Sequence, residues 1–159
     1  MSMDSKAALY LERAKNEIDL AGAIFKISTT QKIKLLLELK EDATFFSDAI
    51  SNAYYCIFYS AKAFLCSKGL ITEPPEEHQK TYAEFEKLVL SGEIDVELLN
   101  IYKSMVVKAD ELLGIFKWEK SKRGKFTYRK LPQANMEPAT ESIANAEKFL
   151  KNINLLLKA

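Results

Sequence analysis

His78 is the only histidine of the 159-residue chain and the residue best suited to acid–base chemistry. An imidazole titrates near neutral pH, so it can act as a general base or donate a hydrogen bond to a phosphate. Lys80 follows two residues later and adds a cation. Because no nucleophile or orienting partner adjoins His78 in the sequence, we expect a solvated histidine in the first turn of an acidic helix. A phosphate or ligand contact by His78 and Lys80 is the alternative.

Three tyrosines, Tyr54, Tyr55 and Tyr59, form a second group that could take part in binding. Aromatic faces accept any nucleobase, so these residues could line a groove in which a base stacks. On a helix, Tyr55 and Tyr59 share one face, whereas Tyr54 points about 100° away from Tyr55. Tyrosines of a buried helix are usually core residues whose hydroxyl groups find a partner. We expect at least one of them to lie in the core or in a dimer interface.

A charged pair, Lys108 and Asp110, stands near the end of a later apolar pattern. The two residues could pair across a groove or contact a nucleotide phosphate. Charged residues on a helix more often belong to its solvated face, and we expect that arrangement here.

The segment 117–130 carries seven Lys or Arg residues and one Glu, against 16 basic and 21 acidic residues in the rest of the chain. Its pattern predicts a basic hairpin or extended arm that turns at Arg123-Gly124. Such an arm could bind a nucleic acid or dock on an acidic surface such as 73–97, and its aromatic residues could instead pack on the domain. The candidate contact residues of the arm are Trp118, Lys120, Lys122, Arg123, Lys125, Tyr128 and Arg129.

The scarce residue types exclude several classes of site. One histidine is too few for a metal site with several imidazole ligands. Cys56 and Cys66 lie ten residues apart, about 15 Å along one helix, which is too far for a disulfide within the chain and unlike the close spacing of zinc ligands. The five glycines are isolated, so a Gly-rich phosphate loop is excluded. The sequence predicts buried free thiols, no metal and no cofactor.

Apolar residues recur at helical spacing along most of the chain. From 48 to 68 nearly every side is apolar or small, which is typical of a buried central helix, and Gly69 follows at a C-cap position. Asp4 or Ser5 is the expected cap of the first helix, and Pro74-Pro75 is expected in the first turn of the helix after the central one. Amphipathic patterns predict further helices at 7–25, 33–37, from Pro74-Pro75 to Ser91-Gly92, 99–116 and 143–157.

Short connections between amphipathic helices predict a single all-α domain, 1–159, built as an up-and-down bundle with one extra short helix and with the basic arm inserted before the last helix. No apolar run approaches the ~18 residues of a membrane span, and the N-terminus lacks the apolar core of a signal peptide. The sequence therefore predicts a soluble cytoplasmic protein that does not act at a membrane.

Several stretches resemble the HEPN family, small four-helix bundles named for higher eukaryote and prokaryote nucleotide-binding domains. The paired tyrosines and the Ala-Lys-Ala core of 51–65, with the Lys68-Gly69 ending, are similar to the central helix of that family. His78 looks like the histidine that often opens the next helix of these bundles. Ala109-Asp110 lies where many members carry Arg-x-x-Ala-Asp-Tyr, and 144–149 is similar to their last helix. The resemblance spans about residues 7–157.

This resemblance implies a homodimer, often found beside a nucleotidyltransferase-type partner in toxin–antitoxin pairs. Active family members are metal-independent ribonucleases that use an arginine and, four to six residues later, a histidine. The three arginines, Arg13, Arg123 and Arg129, have no histidine at that spacing, and Val106 stands where the arginine is expected.

We therefore expect a non-catalytic interaction module that binds a nucleotide, an RNA or a nucleotidyltransferase-type partner near the central helix. One alternative is a ribonuclease with an atypical site built on His78, Lys108 and the arm. The other is a structural helical protein that has no nucleic-acid ligand.

Overall fold

A computed structural model describes residues 2–116 and 135–158, and these ranges form helices and no strands. The prediction of an all-helical fold is confirmed for this part of the chain. The predicted basic arm, 117–130, lies outside the described residues. The helices are α1 (Met3–Thr29), α2 (Gln31–Leu36), α3 (Phe46–Ser67), α4 (Glu77–Leu90), α5 (Val96–Leu113) and α6 (Met136–Lys158).

Helix α3 is the central element, because it packs against α1, α4, α5 and α6. Fifteen of its 22 residues are buried, which confirms the prediction of a helix that is enclosed on all sides. These buried residues are covered by the other helices of the same chain. The homodimer that the resemblance implies stays a prediction.

Helices α1 and α3 run antiparallel, as three contacts along their length show. The thiol of Cys66 lies 3.4 Å from the carbonyl oxygen of Met3, the rings of Tyr59 and Tyr10 are 6.3 Å apart, and the amide of Phe45 donates to Ser28. Alanines such as Ala14, Ala21, Ala49 and Ala53 are fully buried in the two helices. Small side chains let the two backbones approach closely, so the register between α1 and α3 is tightly set.

Helices α5 and α6 are also antiparallel, with Glu97 paired to Lys148 at one end and Lys108 beside Ser142 at the other. Helix α6 runs in the same direction as α3, since Ala139 packs near Ala49 and the backbone of Ala146 contacts Cys56. The four long helices α1, α3, α5 and α6 thus alternate in direction. The shorter α4 lies between α3 and α5 and contacts both.

Two predicted helix starts are wrong. The N-cap of α1 is Ser2, whose hydroxyl accepts a hydrogen bond from the amide of Ser5, so Asp4 lies inside the first turn. Helix α4 begins at Glu77, and the cis-linked Pro74-Pro75 belongs to the preceding loop. The physical reason is Glu76, whose φ of 59° is left-handed and separates the prolines from the helix.

The predicted C-terminal ends of the helices agree better with the structure than the predicted starts. Gly69 and Gly92 follow α3 and α4 with φ values of 80° and 86°, the conformation that glycine allows at a C-terminal cap. Helix α5 was expected to reach Phe116 but ends at Leu113, because Gly114 takes the same left-handed conformation. Helix α2 begins two residues before the predicted segment 33–37 and ends one residue before the end of that segment. Within the described ranges, none of the helices is long and apolar enough to cross a membrane.

Candidate functional site

His78 lies in the first turn of α4, as predicted, and faces α3, so its side chain is only partly exposed rather than fully solvated. Its ring stacks on the ring of Phe58, with the centroids 4.1 Å apart and the planes inclined by 23°. The Nδ1 atom lies 2.7 Å from the hydroxyl oxygen of Tyr54, which is fully buried. No orienting partner for this histidine could be identified from the sequence, because Tyr54 is 24 residues away. Packing of α4 on α3 brings the two together.

Burial sets the protonation of both groups. Removal from water lowers the pKa of His78, an effect that nearby Glu77 opposes and nearby Lys62 reinforces. Burial raises the pKa of Tyr54 well above its usual value, and the neighbouring Tyr102, Tyr55 and Glu77 add to the increase. At neutral pH the pair is therefore a neutral imidazole bonded to a neutral phenol.

A buried ion pair fixes the start of α4 on α3. Lys62 is only 6% exposed, and its ammonium group pairs with the carboxylate of Glu77. The same nitrogen donates to the carbonyl oxygen of Thr72 at 3.2 Å and lies 4.7 Å from the ring centroid of Tyr10. These contacts join α1, α3, the 68–76 loop and α4 next to His78, so the position of the imidazole is well defined.

Three partly exposed tyrosines continue the surface from His78 towards α1, and we call Tyr55, Tyr59 and Tyr10 the tyrosine row. The ring of Tyr55 meets that of His78 edge-on at 5.9 Å and lies 6.3 Å from Tyr59, which in turn lies 6.3 Å from Tyr10. The guanidinium carbon of Arg13, an exposed residue of α1, lies 5.6 Å from the centroid of Tyr59. The row thus combines aromatic faces with a cation.

Next to Tyr55, the tyrosine row borders an acidic residue. Glu17 of α1 accepts a hydrogen bond of 2.7 Å from the side-chain amide of Asn52 on α3. Burial raises the pKa of Tyr55, and the neighbouring Tyr59 and Glu17 raise it further. Charge along this surface therefore changes from positive at Arg13 to negative at Glu17.

Phe116 links this surface to the segment that follows it in the chain. Its ring is fully buried, with its centroid 5.9 Å from that of Tyr54 and 6.1 Å from that of His78. The side-chain amide of Gln79 donates a hydrogen bond to its carbonyl oxygen. The basic segment 117–130 begins at the next residue, so the chain enters it beside His78.

The structure brings together only part of the predicted ligand-binding set. Tyr54, Tyr55 and His78 are in mutual contact. Tyr54 is fully buried, which confirms that at least one of the three tyrosines lies in the core. Lys80 is exposed and donates to the carbonyl oxygen of Glu73 at 3.2 Å. It lines a separate groove of about 560 Å³ between the 70–74 loop and α4.

The expectation that Lys108 and Asp110 lie on a solvated face is wrong, because each is only 6% exposed. The ammonium group of Lys108 lies 3.3 Å from the hydroxyl oxygen of Ser142 and 4.0 Å from a carboxylate oxygen of Glu141, both on α6. Burial lowers the pKa of Lys108, and Glu141 opposes that shift. Lys108 is buried because α6 covers this side of α5, a packing that the spacing along α5 does not encode.

Sequence reasoning missed Tyr10, Arg13, Phe58, Lys62 and Glu77 as parts of the surface around His78. The i, i+4 spacing of Tyr55 and Tyr59 could be read from the sequence, and they do lie on one face. No sequence signal pairs Arg13 with Tyr59, because that contact depends on the register of α1 against α3. The candidate arm residues from Trp118 to Arg129 lie outside the described residues.

A larger cavity, of about 900 Å³, lies between the end of α1, α2 and the start of α3. Its wall includes Lys34, which is 6% exposed and donates to the carbonyl oxygen of Glu41 at 3.0 Å. The carboxylates of Glu41 and Asp42 also line it, so its charges are mixed. None of the predicted ligand-binding residues lines this cavity.

Comparisons with protein-family models, with curated proteins and with solved structures found no match to this chain. Function is therefore inferred from the geometry around His78 and the tyrosine row and from the sequence resemblance to the HEPN family.

Proposed function

We propose that the chain is a HEPN-like, non-catalytic binding module that takes a single-stranded RNA or a nucleotide on the tyrosine row. The observation that carries the proposal is the contact of Arg13 with Tyr59 within a line of partly exposed rings. Tyrosine faces stack on any base, and a neighbouring guanidinium adds a cation for a phosphate. The segment 117–130, which follows Phe116 in the chain, carries seven Lys or Arg residues that could neutralise further phosphates of the same ligand.

The alternative of an atypical ribonuclease receives less support. It requires His78 and Lys108 in one site, yet the contacts of His78 are with α3 and Phe116, whereas those of Lys108 are with α6. A general base also needs a free lone pair, and Nδ1 of His78 is engaged by Tyr54. The arrangement suits a binding residue better than a proton acceptor.

Binding can be tested by fluorescence anisotropy with a labelled single-stranded oligouridylate at low salt. Stacking of a base on a protein aromatic is worth about 1–3 kcal/mol, so Tyr59→Ala should weaken binding about 5- to 150-fold. Arg13→Gln should also weaken it. Lys15→Gln is the matched control, since Lys15 is an exposed cation on another side of the same helix. Equal effects of the two charge changes, or no binding by the wild type, would refute the proposal.

The resemblance also leads us to propose a homodimer and a nucleotidyltransferase-type partner. Light scattering after size-exclusion chromatography should give about twice the monomer mass of 18.1 kDa. A monomer at high concentration would count against the HEPN resemblance while leaving the RNA experiment unaffected.

A further inference from the structure

We propose that His78 is held as the Nε2–H tautomer and donates this N–H to an acceptor oxygen of the ligand. The inference deepens the proposed function, because it states what the ligand must present at the His78 end of the tyrosine row. It stands on three observations: the bond to Tyr54, the solvent access of Nε2 and the rings that hold the imidazole.

The direction of the Tyr54–His78 hydrogen bond follows from the burial of the Tyr54 hydroxyl group, whose hydrogen requires an acceptor. Tyr54 is fully buried, and within the described residues its hydroxyl has Nδ1 of His78 as its hydrogen-bond partner. If Nδ1 carried the proton and donated it, the hydroxyl hydrogen of Tyr54 would be buried without an acceptor, which is costly. The phenol therefore donates to the Nδ1 lone pair, and the ring proton is on Nε2.

The Nε2 atom is available to a ligand. His78 is only partly buried, and no described residue makes a hydrogen bond to its Nε2 atom. Glu77, the nearest carboxylate in sequence, is engaged by Lys62, so that carboxylate already has a cationic partner.

The imidazole is also held in a fixed orientation. Phe58 stacks on it, and Tyr55 and Phe116 meet it edge-on at 5.9 and 6.1 Å. A donor held in place before binding loses little conformational entropy when the ligand arrives. Since Tyr55 also contacts Tyr59, a base on the row can place a carbonyl or phosphate oxygen near Nε2.

Because the chain has one histidine, long-range ¹H–¹⁵N NMR spectra of the imidazole show a single side chain without assignment work. The free wild-type protein at pH 7.5 should show the Nε2–H pattern, and Tyr54→Phe should shift the ring towards a mixture of tautomers. Circular dichroism checks that this variant keeps its helices. A dominant Nδ1–H form in the wild type would overturn the inference whether or not any RNA binds.

Titration with oligouridylate, with uridine and with inorganic phosphate then separates the two sources of an acceptor oxygen. Oligouridylate should move the Nε2 resonance. Uridine should reproduce the shift if the acceptor is a carbonyl oxygen of the base, and inorganic phosphate should reproduce it if the acceptor is a phosphate oxygen. Tyr54→Phe should weaken oligouridylate binding about 2- to 12-fold, the range expected for one hydrogen bond. If oligouridylate binds and the resonance does not move, the inference fails while the proposed function stands. If none of the three probes moves it, the inference fails as well.

Discussion

At the residue scale, the ammonium group of Lys62 is a buried charge that depends on Glu77. Removing one partner of a fully buried pair costs about 3–5 kcal/mol, and Glu77 is 27% exposed, so Glu77→Gln should lower the free energy of unfolding by roughly 2–3 kcal/mol. Urea unfolding at pH 7 measures the change. Glu84→Gln is the matched control, because Glu84 pairs with the exposed Lys87 and should cost about 0.5 kcal/mol or less. Similar losses of unfolding free energy in both variants would show that the buried Lys62 does not depend on Glu77.

The lowered pKa of His78 makes stability depend on pH with a definite sign. Between its lowered folded pKa and the unfolded value near 6.5, the unfolded chain binds more protons than the folded one, so stability falls as pH falls through this window. Above about pH 7.5, one unit above the unfolded pKa, the imidazole is neutral in both states and contributes no slope. The difference between wild type and His78→Gln isolates this contribution from the carboxylates. If the difference in free energy of unfolding between the two proteins is independent of pH from 7.5 to 5, folding does not lower the pKa of His78.

Individual site residues were only partly predictable from the sequence. The shared face of Tyr55 and Tyr59 follows from helix geometry, and the structure has it. Helix geometry does not tell which of the three tyrosines is buried, and the structure shows that it is Tyr54. The contact between Tyr54 and His78 does not follow, because two residues 24 apart meet only when α4 folds back on α3. Likewise, Lys108 and Asp110 look solvated in sequence and are buried in the structure.

At the scale of elements, the close approach of α1 to α3 depends on alanines. Ala14 is fully buried within the main apolar core, whereas Ala8 is exposed on the same helix. Ala14→Leu should destabilise the protein by about 1–3 kcal/mol, because extra methylenes must displace α3, while Ala8→Leu should change stability by about 0.5 kcal/mol or less. Thermal unfolding followed by circular dichroism gives the comparison. Equal effects would mean that the two helices are not closely packed at Ala14.

Helices were predictable where their apolar period is long, and their ends were predictable where glycine marks them. Gly69 and Gly92 confirm this, while the start of α4 was wrong because the left-handed Glu76 has no sequence signature. Phe116 continues the apolar period of α5 and is buried, yet it lies beyond the helix, since Gly114 has already ended it. Periodicity reports which residues are buried more reliably than it reports which are helical.

At the scale of the whole molecule, the sequence separates charge between the basic segment 117–130 and the net acidic remainder. If the segment binds RNA phosphates, log affinity should fall with log salt by about 0.7 per phosphate contacted, or roughly 2–3.5 for three to five contacts. Replacing Lys122, Arg123 and Lys125 with Ala should reduce this slope by about two units. If the segment instead docks on the acidic 73–97 surface of a partner, the same variant loses association, and RNA binding is absent even at low salt.

The reactivity of the two thiols of α3 reports which part of the protein opens first. Burial raises the pKa of Cys56 to about 12, and both cysteines are free and buried, so an alkylating reagent reaches them only during an opening. Cys66 is covered by Met3 in the first turn of α1, whereas Cys56 faces Ala146 on α6. Fraying of the α1 end should therefore expose Cys66 to iodoacetamide well before Cys56 reacts, and mass spectrometry resolves the order. Simultaneous labelling would show that the helices separate in a single global event.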